Sequence, residues 1–247
     1  GIDIPGEATG MAPSPQWKKD YFGPIYEKQL QEQLEAIEEK YATLLAEATD
    51  NSQKDKLLMR KKQEIATAQA SYQDKVNYYV DWILFDSFNN SIGQGYNSYT
   101  LIQLANYVAT IVNGGYNYKP YVVDKILDPI TGEVVLQKEP QLNHKVTVSP
   151  ETLAIIKKSM SQVTSGDGTA AWLFTDMPQY SGGGKTGTAQ LGSRNTEKGN
   201  QYNGMYVAFA PYDDPEIAFA GLVEYGGHGS ETAGYVAKAV FKKYFGW

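Results

Sequence analysis

Between Pro24 and Gly93 the chain contains neither proline nor glycine. Those are the two residues that most often punctuate secondary structure, so so long a stretch without them points to helix. From about Lys18 to Val80 acids and bases crowd in, in roughly equal number. Within this charged background Leu30, Leu34, Ile37, Tyr41, Leu44 and Ala48 recur at alternating steps of four and three, an apolar seam along one helix face. Asp50-Asn51-Ser52 interrupts it with residues suited to ending one helix and capping the next. Leu58, Ile65, Ala68, Tyr72 and Tyr79 restart the seam, with Lys61 breaking it once. Two helices joined by a short polar turn form an antiparallel hairpin, expected over residues 18–80. At 1.5 Å per residue, arms of about 25 residues project on the order of 35–40 Å.

The rest of the chain has a different texture. Residues 1–17 are rich in Gly and Pro and lack periodicity, which predicts an extended, loop-like segment. Tyr99 to Val112 predicts a helix that stops at Asn113-Gly114-Gly115. Tyr121–Leu127 and Glu133–Gln137 flank Asp128-Pro129-Ile130-Thr131-Gly132 and predict a small hairpin. Pro150 to Thr164 predicts a helix with Ser149 as its cap and Glu151 in its first turn. Three strands are expected at Lys185–Leu191, Met205–Ala210 and Glu216–Val223, and a last helix from about Ser230 to Tyr244. Consecutive antiparallel strands flanked by helices make this an α+β chain.

With 247 residues the chain can bury a sizeable core. Its net charge of −6 argues against a nucleic-acid partner, which needs a basic face. The absence of cysteine excludes disulfides and thiolate metal sites. Two distant histidines, His144 and His228, give no convincing metal site, so no metal or cofactor is expected. His228, between glycines and ahead of a helix, reads as a turn or capping residue, and His144 as a surface residue. There is no apolar run long enough to span a membrane and no signal peptide. Gly1-Ile2-Asp3-Ile4-Pro5-Gly6-Glu7 reads as the interior of a domain rather than as a natural start.

The most informative stretch is Ser181-Gly182-Gly183-Gly184-Lys185-Thr186-Gly187-Thr188-Ala189-Gln190. A phosphate loop would need a further glycine where the chain has Gln179, and a helix after Lys185, whereas a strand is predicted there. As a strand edge the motif has chemical sense. Thr186 and Thr188 project from one face and Lys185 from the other. Two hydroxyls near an ammonium make a receptor for a carboxylate. Gly187 between them admits another backbone. A free edge can pair with an extended peptide, and one of its N–H groups can stabilise an oxyanion. The same spacing also fits a plain core strand with a solvated lysine.

Lys185-Thr186-Gly187-Thr188 resembles the Lys-Thr-Gly box of penicillin-binding proteins and serine β-lactamases. Residues 1–7, Ser91-Ile92-Gly93-Gln94-Gly95, Gln103-Leu104-Ala105, Gly168-Thr169-Ala170 and Gly226-Gly227-His228-Gly229 resemble, in that order, stretches of class B penicillin-binding proteins. The resemblance covers residues 1–17 and about 87–247. It implies the C-terminal part of a transpeptidase domain with a penicillin-binding/serine β-lactamase-like fold, spanning 1–17 and 81–247, with the 18–80 hairpin inserted.

The family has two further boxes, Ser-x-x-Lys and Ser-x-Asn, both expected upstream of Gly1. No Ser-x-x-Lys occurs in the chain. Ser87-Phe88-Asn89 and Ser193-Arg194-Asn195 fit the second pattern but follow it in the wrong order, and read as coincidental. The resemblance therefore implies a peptidoglycan D,D-transpeptidase whose serine nucleophile lies outside these residues, so that the chain alone is inactive. That serine would attack a D-alanyl-D-alanine bond, and an amine of a neighbouring stem peptide would take the acyl group.

Thr186 and Thr188 would bind the terminal carboxylate of a stem peptide or a β-lactam. Lys185 would add positive charge and reach towards the Ser-x-Asn serine, and the Thr188 N–H would supply half of an oxyanion hole. The implied partners are stem peptides, β-lactams and the upstream half of the same domain. The implied location is extracytoplasmic, with the parent anchored in the membrane by an N-terminal segment. The hairpin is expected either to be a self-contained solvated insertion or to dock a partner of the wall-synthesis machinery. A non-catalytic interaction domain of the same fold is the alternative. A carboxypeptidase or β-lactamase activity is disfavoured by the class B stretches. Gln94-Gly95 reads as a tight turn, and Ser165-Gly166-Asp167-Gly168-Thr169 as a loop that could border the substrate groove.

Overall fold

The computed structural model describes residues 1–191 and 202–247. The chain forms two compact units, one of Gly1–Gly10 with Tyr99–Trp247 and one of Met11–Ser98. The Ser193-Arg194-Asn195 triplet lies outside the described residues.

In the Met11–Ser98 unit, α1 (Pro15–Glu47) and α2 (Asn51–Lys75) form the helical hairpin. A π-helical turn follows at Val76–Val80, and α3 spans Leu84–Ser91. α1 starts three residues before Lys18 because Ser14 Oγ accepts the Trp17 N–H at 3.0 Å and Pro15 occupies the first helical position. Pro24, read as lying ahead of the seam, sits inside α1. A proline there forfeits one helical hydrogen bond. The surrounding turns compensate by packing Trp17, Tyr21 and Phe22 with Tyr96 into one aromatic cluster, with ring centroids 4.9–6.1 Å apart.

Asp50 caps α2, its Oδ1 accepting the Gln53 N–H at 2.8 Å. Along the seam Tyr41 is buried, and its hydroxyl donates to Glu64 Oε1 at 2.8 Å. Lys61, which interrupts the apolar pattern of α2, pairs with Glu38 of α1 at 2.5 Å. The interruption is thus an interhelical ion pair.

In the other unit α4 (Leu101–Val112) opens on a capping box, with Thr100 and Gln103 exchanging hydrogen bonds. β2 (Lys125–Leu127) and β3 (Val134–Gln137) form the expected hairpin, each strand ending where predicted but starting later. β1 (Tyr116–Tyr118) and β4 (Leu142–Lys145) pair around it, and sequence reading had no strand there. α5 (Pro150–Val163) begins with Ser149 Oγ accepting from the Thr152 N–H at 3.2 Å.

The main sheet is antiparallel with strand order β5 (Gly183–Gln190), β6 (Tyr202–Ala210), β7 (Ile217–Val223). Its register runs from Gly183 opposite Phe209 to Gln190 opposite Tyr202, and from Gly204 opposite Val223 to Ala210 opposite Ile217. α6 spans Ala233–Phe245.

β6 is the core strand, and its alternation assigns the two faces of the sheet. Tyr206, Ala208 and Ala210 pack with Leu173, Phe174, Ala233, Ala237 and Phe241, the face covered by α6 and the 171–174 turn. Phe209 packs with Val108 of α4 and Met160 of α5 on the other face, with Val207 and Ile156 beside them. This is a helix–sheet–helix arrangement of α+β type. Burying side chains such as Phe241 and Phe209 contributes about 1.5–3 kcal/mol each.

Candidate functional site

The glycine run that mimics a phosphate loop has a packing cause. A Cβ on Gly183 would stand 2.8 Å from the α5 backbone at Met160 and Ser161 and from the Phe209 ring. One on Gly184 would stand 2.5 Å from the Tyr206 hydroxyl. Bare backbone lets α5 and β6 close on the start of β5, so the run enters a strand instead of cradling an anion.

Past that tightly packed entry, β5 emerges. Gly182 to Gly184 are buried, Lys185 and Thr188 are exposed, and Thr186 and Gly187 are half-buried. β6 flanks β5 on one side only, so among the described residues the other side of β5 is a free edge. Lys185, Thr186, Gly187 and Thr188 thus lie consecutively on an edge strand, opposite Val207, Tyr206, Met205 and Gly204.

The two faces of the strand differ. Lys185 borders an apolar groove of about 490 Å³ between α4 and α5, lined also by Tyr107, Ile111, Ile155 and Met160. Its ammonium turns back to donate to the Thr186 carbonyl at 2.5 Å. The Thr186 hydroxyl meets a different partner, Thr169 Oγ1, at 3.3 Å. Thr169 follows α5 in the 165–169 loop, and sequence reasoning did not assign it a role. The signal available was its place in Gly168-Thr169-Ala170.

His228 is exposed, and its carbonyl accepts from the Glu231 N–H at 3.1 Å and the Thr232 hydroxyl at 3.0 Å, a turn-forming role. Next to it, Gly229 is buried against the site strand. A Cβ there would come within 1.9 Å of the Met205 carbonyl oxygen and 2.6 Å of that of Gly187. The 226–229 loop therefore buttresses β5 at Gly187 through direct backbone contact. Gly229→Ala is expected to lower stability by about 1–3 kcal/mol, the usual range for overpacking against groups that must shift. Urea unfolding of the chain measures it, and a midpoint equal to wild type would contradict the contact.

Ser87, of the other Ser-x-Asn triplet, lies in α3, where its Oγ accepts from the Trp82 indole at 2.8 Å. His144 is an exposed residue of β4. Among the described residues, acids and histidines form no cluster suited to a metal ion, and no helix is long and apolar enough to cross a membrane.

A family model for the penicillin binding protein transpeptidase domain matches residues 1–246. The chain is similar to the peptidoglycan D,D-transpeptidase MrdA of Haemophilus influenzae, 30% identical over 175 residues that make up 66% of this chain and 26% of that protein. Its fold resembles that of Pseudomonas aeruginosa PBP2, solved in complex with WCK 5153, with a TM-score of 0.61 at 24% identity over 98% of this chain and 39% of that one. It is also similar to penicillin-binding protein A from M. tuberculosis, solved as an imipenem acyl-enzyme complex. There the TM-score is 0.50 at 28% identity, over 62% of this chain and 32% of that one. The chain spans about a fifth to a quarter of the length of the curated relatives it matches.

Proposed function

The chain belongs to the penicillin-binding protein transpeptidase domain family, and on that premise we propose that it is the C-terminal part of a class B peptidoglycan D,D-transpeptidase domain. It supplies the carboxylate-binding strand, while the serine nucleophile lies in residues outside it. The observation that carries this reading is the free edge of β5, with Lys185, Thr186 and Thr188 at or near the surface.

In the proposed reaction the serine oxygen attacks the D-alanyl-D-alanine carbonyl and D-alanine leaves. An acceptor amine then takes the acyl group and frees the serine. Thr186 and Thr188 hold the donor's terminal carboxylate, Lys185 adds positive charge beside it, and the Thr188 N–H steadies the oxyanion. A β-lactam, which also presents a carboxylate beside a reactive carbonyl, enters the same way but leaves a stable acyl-enzyme. The M. tuberculosis relative solved as an imipenem acyl-enzyme supports this route.

The exposed apolar side chains of Tyr107 and Ile155 beside Lys185 support the idea that the upstream half of the domain packs over the α4–α5 groove. The same reading takes residues 1–17 and 81–247 as transpeptidase domain and the 18–80 hairpin as an insertion. It takes the hairpin's charged, solvated surface as a docking arm for a wall-synthesis partner. It also puts the parent outside the cytoplasm, anchored in the membrane.

Incubating labelled penicillin with the parent protein, in which this chain is joined to its upstream Ser-x-x-Lys segment, tests the reading. A covalent adduct on the parent, and none on residues 1–247 alone, is the expected result. A parent that takes no acyl group supports a non-catalytic domain instead.

A further inference from the structure

We propose that Thr169 is a positioning residue for the carboxylate-binding strand: its hydroxyl donates to Thr186 Oγ1 and so leaves the Thr186 O–H free to point at the ligand. This rests on the function proposed above and assigns a role to a residue outside the Lys-Thr-Gly box.

The geometry is local and well anchored. Thr169 Oγ1 lies 3.3 Å from Thr186 Oγ1, and either oxygen could be the donor. A carboxylate accepts hydrogen bonds and donates none, so Thr186 must spend its single proton on the ligand to bind it. It can do so only if its contact with Thr169 is as acceptor. A neighbouring hydroxyl that donates into Thr186 satisfies that condition and polarises the outgoing O–H, which strengthens the bond to an anion.

Thr169 is held for this task by its backbone neighbours. The Gly168 N–H donates to the Ser165 carbonyl at 3.0 Å, and the Ala170 N–H donates to the Val163 carbonyl at 2.9 Å. Ala170 is fully buried in the core that also contains Tyr206, the residue opposite Thr186. A Cβ on Gly168 would come within 2.2 Å of the Gln162 carbonyl oxygen, so the loop folds tightly against the end of α5. Thr169 itself stays exposed, with its hydroxyl turned to the strand.

The test compares Thr169→Val and Thr169→Ser in the parent protein, using a penicillin with a free carboxylate and its methyl ester. The valine variant keeps the shape and loses the donor. It is expected to react with the acid about five- to tenfold more slowly than wild type, the effect of one hydrogen bond, and with the ester at close to the wild-type rate. The serine variant is expected to restore the rate with the acid. A purely structural role would slow acid and ester alike, and that result, or a valine variant as fast as wild type with the acid, would overturn the proposal. A wild-type parent that acylates with neither ligand sinks the functional reading beneath it, and the assignment of Thr169 falls too.

Discussion

Lys185→Ala in the parent protein is expected to slow acylation by a labelled penicillin by on the order of 10–100-fold, the cost of losing a hydrogen bond to a charged group, about 1.5–3 kcal/mol. The physical basis is where the ammonium sits. Lys185 is exposed on an edge strand, but it borders an apolar groove formed by α4 and α5. A charge beside apolar walls is screened less than one surrounded by water, so its attraction for a ligand carboxylate is larger there. Among the described residues the ammonium donates to the Thr186 carbonyl, 2.5 Å away on the next residue. A carboxylate is a stronger partner for it than a neutral carbonyl.

Two companion variants separate charge from fold. Lys185→Arg keeps the charge but exchanges a compact ammonium for a broader planar group, and an intermediate rate is expected. Lys243→Ala removes an equal charge from the exposed end of α6 and should stay within about twofold of wild type. Rates are read from the time course of adduct formation by intact mass. Wild-type rates in Lys185→Ala would remove this residue from the site.

Much of the framework around that residue was legible because its signals are local. Ser149 followed by Pro150 announces the start of α5, and Asp50 caps α2 where the seam breaks. β6 and β7 were visible as apolar runs separated by the turn residues Pro211 to Pro215. What escaped depends on partners distant in sequence. β1 and β4 are three and four residues long and mostly exposed, so neither carries a pattern of its own, and they exist through pairing with each other. Pro24 falls inside α1, where the aromatic cluster around Trp17 packs the turns on its N-terminal side.

At the site, the order Lys185-Thr186-Gly187-Thr188 and its strand character were readable. The crowding that demands Gly183 comes from Met160 and Ser161 of α5, and no sequence pattern displays it. The Thr169–Thr186 contact escaped for the same reason, since it joins residues on different elements.

In the Met11–Ser98 unit the largest effect is expected at a buried ion pair. Lys18 Nζ lies 2.6 Å from Asp86 Oδ2, with side chains only 2% and 9% exposed. The same ammonium donates to the Asp81 carbonyl at 2.8 Å and the Tyr78 carbonyl at 3.5 Å, and Asp86 also accepts the Ile83 N–H that starts α3 at 2.9 Å. One cation thereby joins the first turns of α1, the end of the hairpin and the cap of α3. Lys18→Met removes it and leaves the carboxylate buried without its charged partner, at an expected cost of about 3–5 kcal/mol.

The double variant Lys18→Met/Asp86→Leu removes both charges and is expected to lose less than the sum of the single changes, because no uncompensated ion remains. A residual loss of about 1 kcal/mol is expected from the missing cap at Ile83. Urea unfolding, followed through the Trp17 indole resonance of the aromatic cluster on α1, reports all three variants. If Lys18→Met costs less than about 1 kcal/mol, the pair behaves like an exposed one, and burial cannot be what couples α1 to α3.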